Sequence, residues 1–171
     1  MVELLFFSNF FIALALGALV GLERETSQMN SSAKEFAGLR TFILISLLGA
    51  ISGYLSVVIN SVILTASLIG IFLISIVGYA ISSIFFRTVG ATTEFAAILV
   101  FLLGVMCTTG YREYAIIFTI IITVVLATRP ILAGYIKKIE TKEIYATLEL
   151  AVISLVILPF LSNKNYSPLD I

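Results

Sequence analysis

Histidine and tryptophan are missing from this sequence altogether, proline occurs three times and cysteine once. The lone Cys107 sits in an apolar run, so there is no disulfide framework. Without histidine and with one thiol, a zinc or copper site has no ligand set. The usual general base is gone with the histidines. No glycine-rich phosphate loop, no Ser/His/Asp or Cys/His set and no acid pair within one apolar segment is present. The polar stretches are too short to hold a catalytic domain, and the chain reads as a non-enzyme. The only metal chemistry left open is oxygen ligation of a hard cation such as Mg²⁺.

Charge is scarce as well. Only 12% of the residues are charged, against about 25% in an ordinary soluble domain. Ten basic and ten acidic residues cancel, which leaves no electrostatic case for a nucleic-acid partner. What is abundant is hydrocarbon: 60% of the residues are hydrophobic, and the mean hydropathy is +1.16. Half the usual charge cannot clothe a water-soluble surface. The partner this composition demands is the lipid bilayer.

Six apolar segments are recognisable, at 4–22, 41–59, 62–86, 93–110, 114–135 and 144–161. At 1.5 Å per residue each matches a hydrocarbon core about 30 Å thick. A barrel would alternate polar and apolar residues, so the expected fold is an all-α membrane protein, one bundle of about six transmembrane helices. The acidic start Met1-Val2-Glu3 is unlike a signal peptide, and the first segment reads as a retained span. Asn60-Ser61 predicts a tight hairpin. Pro130 predicts a kink that frees the Leu126 carbonyl. Counted over the connections, eight basic residues (Arg24, Lys34, Arg40, Arg87, Arg129, Lys137, Lys138 and Lys142) fall on one side and two (Arg112 and Lys164) on the other. The positive-inside rule then puts both termini outside. The composition has a prokaryotic cast, which makes the cell (inner) membrane the expected location.

Small residues recur every fourth position at Ala13, Gly17 and Gly21, and again at Gly49 and Gly53. Such stripes let helix backbones approach in lipid. The two stripes are expected to meet each other, with a homodimer contact through the same stripe as the alternative.

Ionisable residues at a span are costly and are therefore the first place to seek function. On the expected topology Glu23, Arg24, Glu25, Arg40, Arg87, Glu94, Arg129 and Glu149 all fall at the cytoplasmic ends of their helices, and none lies mid-span. That disfavours a proton relay across the bilayer. Glu94 has two readings: a first-turn acid at a helix capped by Thr92, or an inward ligand for a cation or a partner for an arginine. Thr93 fits either. Arg129 either snorkels to the interface or pairs with Glu94 or Glu149. Glu149, about a turn inside its span, is by position the most buried acid. Glu23-Arg24-Glu25 reads as a solvated helix end, with Glu23 and Arg24 close enough to the membrane to meet Arg40.

Two stretches carry a resemblance. Gly17-Ala18-Leu19-Val20-Gly21-Leu22-Glu23-Arg24-Glu25, followed by Ala37-Gly38-Leu39-Arg40-Thr41, resembles the N-terminal signature of the MgtC/SapB membrane protein family. Gly90-Ala91-Thr92-Thr93-Glu94 resembles its later Gly-Leu-Thr-Thr motif. The resemblance implies a polytopic prokaryotic inner-membrane protein linked to magnesium limitation, whose best-studied members look like regulators of other membrane proteins. It marks Glu23, Arg24, Arg40, Thr41, Thr92 and Thr93 as motif positions without giving them a chemical role. Gly70 and Gly78 reproduce the family's third-span glycine motif poorly. Glu94 and the ending Leu158-Pro159 look closer to double-length relatives. The expected partner is then a second copy or a separately encoded half, unless the chain is a shortened form of a longer one.

Two functions remain in view. One is a subunit of a Mg²⁺ transporter or channel, with Glu94 and Glu149 as metal ligands in a polar cytoplasmic cavity. The other is a non-transporting regulator, with a dry bundle and its charges paired. Both predict that Glu94 and Glu149 lie near Arg129 or Arg40. A structure that set either acid against lipid with no basic or polar neighbour would contradict them.

Overall fold

The computed structural model of the protein describes residues 2–29, 37–86, 90–136 and 141–158, and every regular element among them is helical. In chain order these are α1 (Val2–Met29), α2 (Leu39–Val58), α3 (Val62–Phe86), α4 (Thr92–Thr108), α5 (Arg112–Ala127), α6 (Arg129–Ile136) and α7 (Thr141–Val152). A π-helical turn, Ile153–Ile157, follows α7. The chain divides into two compact units, Met1–Thr128 and Arg129–Ile171.

Among the described residues four helices are long and apolar enough to cross a membrane: Phe7–Met29, Leu39–Val58, Val62–Ile84 and Arg112–Leu132. Thr92–Thr108 is apolar but shorter. Their outward faces carry Leu44, Phe72, Ile76, Ile120 and Val125, all exposed. In water so much exposed hydrocarbon would aggregate; in lipid it is the proper surface. The chain is an all-α membrane protein.

Chain punctuation explains most of the helix ends. The Asn60 side chain accepts from the Val62 amide at 2.9 Å, which caps α3 and makes the expected hairpin. Gly110, at φ +91°, ends α4, and the Tyr111 amide reaches back to the Met106 carbonyl at 3.1 Å. That is a left-handed glycine cap. Pro130 has no amide to give the Leu126 carbonyl, and the regular helix is interrupted at Thr128 alone, so the segment expected at 114–135 is α5 plus α6. The first helix departs most from expectation: it runs to Met29, well past residue 22. Charge marks the edge of the hydrocarbon, but Glu23 to Gln28 contain no helix breaker.

In the first unit α2 lies between α1 and α4, which also touch each other, while α3 packs on α2 and α4, and α5 on α1 and α4. Ser46 donates to the Ala13 carbonyl at 2.6 Å, and Gly21 faces Leu39, so α1 and α2 run antiparallel. Gly49 faces Phe101 and Gly53 faces Val105, so α2 and α4 run parallel. The two small-residue stripes therefore do not meet each other. Gly17 and Gly21 fit against Phe42, Ser46 and Leu39 of α2, whereas Gly49 and Gly53 turn to α4. A Cβ on Gly49 would overlap the Phe101 carbonyl oxygen, and one on Gly104 would overlap that of Ser46. Thr108 adds a hydrogen bond to the Ala50 carbonyl at 3.0 Å. Phe42, Val100 and Phe101, all fully buried, fill the space around these contacts.

The second unit holds α6, α7 and the π turn, and the side chains described on α7 are mostly exposed. The segment expected at 144–161 coincides with α7 and the π turn as far as residue 158.

Gly104→Val is expected to cost about 3 kcal/mol through overpacking against backbone that cannot yield. Gly70 has open space around it, and Gly70→Ala should be neutral or gain up to about 1 kcal/mol from helix propensity. Thermal loss of helicity in detergent, followed by circular dichroism, separates the two.

Candidate functional site

The polar groups buried in the first unit include a cluster at one end. On α1 the inward stripe Ala13, Leu16, Val20 ends in Arg24, which is fully buried. Helical spacing alone carries Arg24 onto that face, at i+4 from Val20. Its Nε lies 2.5 Å from Glu23 Oε2 and its Nη2 donates to Glu23 Oε1 at 2.8 Å, a bidentate fork between sequence neighbours. Adjacent residues on a helix do not face each other, so the long arginine arm must fold back to close the pair. A guanidinium without water requires such a partner.

Glu25 points elsewhere. Its Oε2 accepts from the Leu39 amide at 2.9 Å, so α1 supplies the N-terminal cap of α2. Gly38, the residue at the cap position, has no side chain to do this, and a Cβ there would collide with the Glu25 carboxylate. The carboxylate also meets the positive end of the α2 macrodipole. Gln28 completes the clasp, donating to the Ala37 carbonyl at 2.8 Å.

Glu94 and Thr93 are buried in the first turn of α4. Because α1 is antiparallel to α2 and α2 parallel to α4, Glu23, Arg24, Glu25, Arg40 and Glu94 all fall at one end of the bundle. The opposite end is marked by Arg112, 3.5 Å from Asn9 Oδ1 and 3.3 Å from Glu113.

Several expectations need correcting. Within Glu23-Arg24-Glu25 only Glu25 is exposed as a solvated helix end would be: Arg24 is enclosed and Glu23 is only 12% exposed. Thr92 is not the cap of α4; it is the exposed first residue of the helix, and the cap position is Ala91, without a side-chain hydrogen bond. Glu149 is exposed on α7, because depth along a span does not say which face a residue takes. Arg40 and Arg129 are exposed and Thr41 is half-buried. Arg87 lies outside the described residues. Glu94 does face inward, as the ligand and ion-pair readings both required. The structure therefore brings Glu23, Arg24, Thr93 and Glu94 into the buried end of the first unit, while Glu149 and Arg129 belong to the second.

Gln28 was not among the expected site residues, and for Glu25 and Gly38 no capping role was expected. One signal for them existed: Ala37-Gly38 offers α2 no capping side chain, so the cap had to come from elsewhere. Among the described residues no group of three His, Cys, Asp or Glu side chains converges as a metal site would need.

The model of the MgtC family matches residues 10–135. The chain belongs to the MgtC family. No curated protein and no solved structure matches it. The family match runs from α1 through most of α6, and so contains the Arg24 pair, the Glu25 cap and the Glu94 turn. In this MgtC-family chain the motif stretches of α1 and α2 are thus joined physically, by the Glu25 to Leu39 hydrogen bond.

Arg24→Met alone should destabilise the protein by about 3 kcal/mol, since it strands a half-buried carboxylate. Glu23→Gln with Arg24→Met should recover most of that loss. Thermal unfolding of the two variants beside the parent checks this.

Proposed function

We propose that this MgtC-family protein is a non-transporting membrane protein that acts by binding and modulating another membrane complex. The observation that carries the reading is the engagement of the acids. Both oxygens of Glu23 bond to Arg24, and Glu25 is held by the α2 amide. A Mg²⁺ site needs one or two carboxylates free to turn to the ion. Recruiting either acid would break a contact that shapes the bundle. The close approach of α2 and α4 at Gly49 and Gly104 further supports a dry interior. On this reading the protein performs no chemistry of its own. It sits in a prokaryotic inner membrane with both termini outside and the Arg24 end towards the cytoplasm. It serves magnesium homeostasis through contact, and it pairs with itself or with a separately encoded half.

The burial of Glu94 in the first turn of α4 favours a second reading, a subunit of a Mg²⁺ transporter or channel with that carboxylate on the path. Uptake into proteoliposomes loaded with a Mg²⁺-sensitive dye decides between them. The expected result is uptake no faster than in protein-free vesicles. Uptake above that level, abolished by Glu94→Gln, would replace the first reading with the second.

A further inference from the structure

Along most of their length α1 and α2 are held together by glycine, Gly17 and Gly21 lying against α2 backbone. Towards the start of α1 the residues on this side are bulky instead. The result is a groove of about 300 Å³ walled by Phe7, Phe10, Phe11, Leu14, Leu47 and Ile51. No polar atom contributes to that wall. The Phe10 ring stands edge-on to Tyr54 with centroids 6.3 Å apart, which fixes one side. Phe7 and Phe11, 60% and 69% exposed, form an outer lip. Fourteen residues separate Phe10 from Arg24, about 21 Å along the helix, so the groove lies in the half of the bundle away from the buried charges.

We infer that this groove holds one acyl chain of a bilayer lipid. The groove is walled by six side chains of two neighbouring helices, a width that suits a single slender chain. A volume of about 300 Å³ takes about ten groups of methylene size, with the roughly 30 Å³ that a water fills in the liquid as yardstick. That is the greater part of one lipid tail. The purely apolar wall offers a headgroup nothing. A tail leaves hydrocarbon to enter the groove, so water exclusion contributes no preference. Preference comes from dispersion contact with the phenylalanine rings, which open space would forfeit. The enrichment over surrounding lipid is therefore modest, about fivefold, or about 1 kcal/mol at 1.4 kcal/mol per tenfold.

The test uses the full chain in bilayers of phosphatidylcholine doped with a phosphatidylcholine that bears a photoactivatable diazirine at mid-tail. Labelled residues are mapped by mass spectrometry. Labelling around Leu14, Leu47 and Ile51 should exceed that at the outward α3 residues Ile69 and Ile76 about fivefold. Leu14→Trp or Leu47→Trp, which fills the groove, should bring it down to the α3 level without lowering the unfolding temperature. Equal labelling of groove and α3 in the parent protein would overturn the inference, as would groove labelling that survives both filled variants. Neither result bears on whether the protein carries Mg²⁺.

Discussion

Backbone touching backbone holds this molecule together. The Phe101 carbonyl lies where a side chain on Gly49 would stand, and the Ser46 carbonyl where one on Gly104 would stand. In lipid the surroundings are as apolar as the helices, so association must come from contact at van der Waals distance and from hydrogen bonds across the seam. Glycine permits the first, and Ser46 and Thr108 supply the second by donating to the carbonyls of Ala13 and Ala50. With α2 held by both α1 and α4, α3 and α5 are left as outer helices with exposed apolar faces.

The charged end follows a related logic. Where hydrocarbon gives way to headgroups, an ion still interacts strongly with its neighbours and weakly with water. Two of the charges at this end have a definite partner: Arg24 takes Glu23, and Glu25 takes the free amide of α2. These acids are parts of the frame. That is why the family's charged signature is compatible with a protein that moves no ion at all.

The sequence disclosed those features that depend on one helix at a time. The bounds of α3 are as expected because Asn60 caps it and its length suits the bilayer. The break before Pro130 was likewise legible, since a missing amide acts on its own helix. Features that join two helices were not. Periodicity shows that Gly17 and Gly21 share a face, but not which neighbour covers it. Glu25 reaches Leu39 across a separation of fourteen residues, and only the lack of a capping side chain at Gly38 hinted at it. A run of three charges looks solvated, yet the stripe from Ala13 through Val20 carries the Arg24 side chain inward. For Glu149 the opposite holds: its position along the helix suggests burial, and its side chain is exposed.

The placement of α4 has a consequence for the order in which the chain matures. A polypeptide enters the membrane from its N-terminus, so α1, α2 and α3 arrive before the helix that completes the seam. Through that interval Gly49 and Gly53 look out on lipid tails, and α2 has only the α1 side of its lock. The hairpin at Asn60 does not supply the missing contact, because the neighbours of Gly49 and Gly53 are Phe101, Val105 and Thr108 of α4. The contacts allow an early clasp between α1 and α2 that the fourth helix completes. A ribosome stalled between the third and fourth helices would leave the bilayer holding a half-built core with its stickiest surface uncovered.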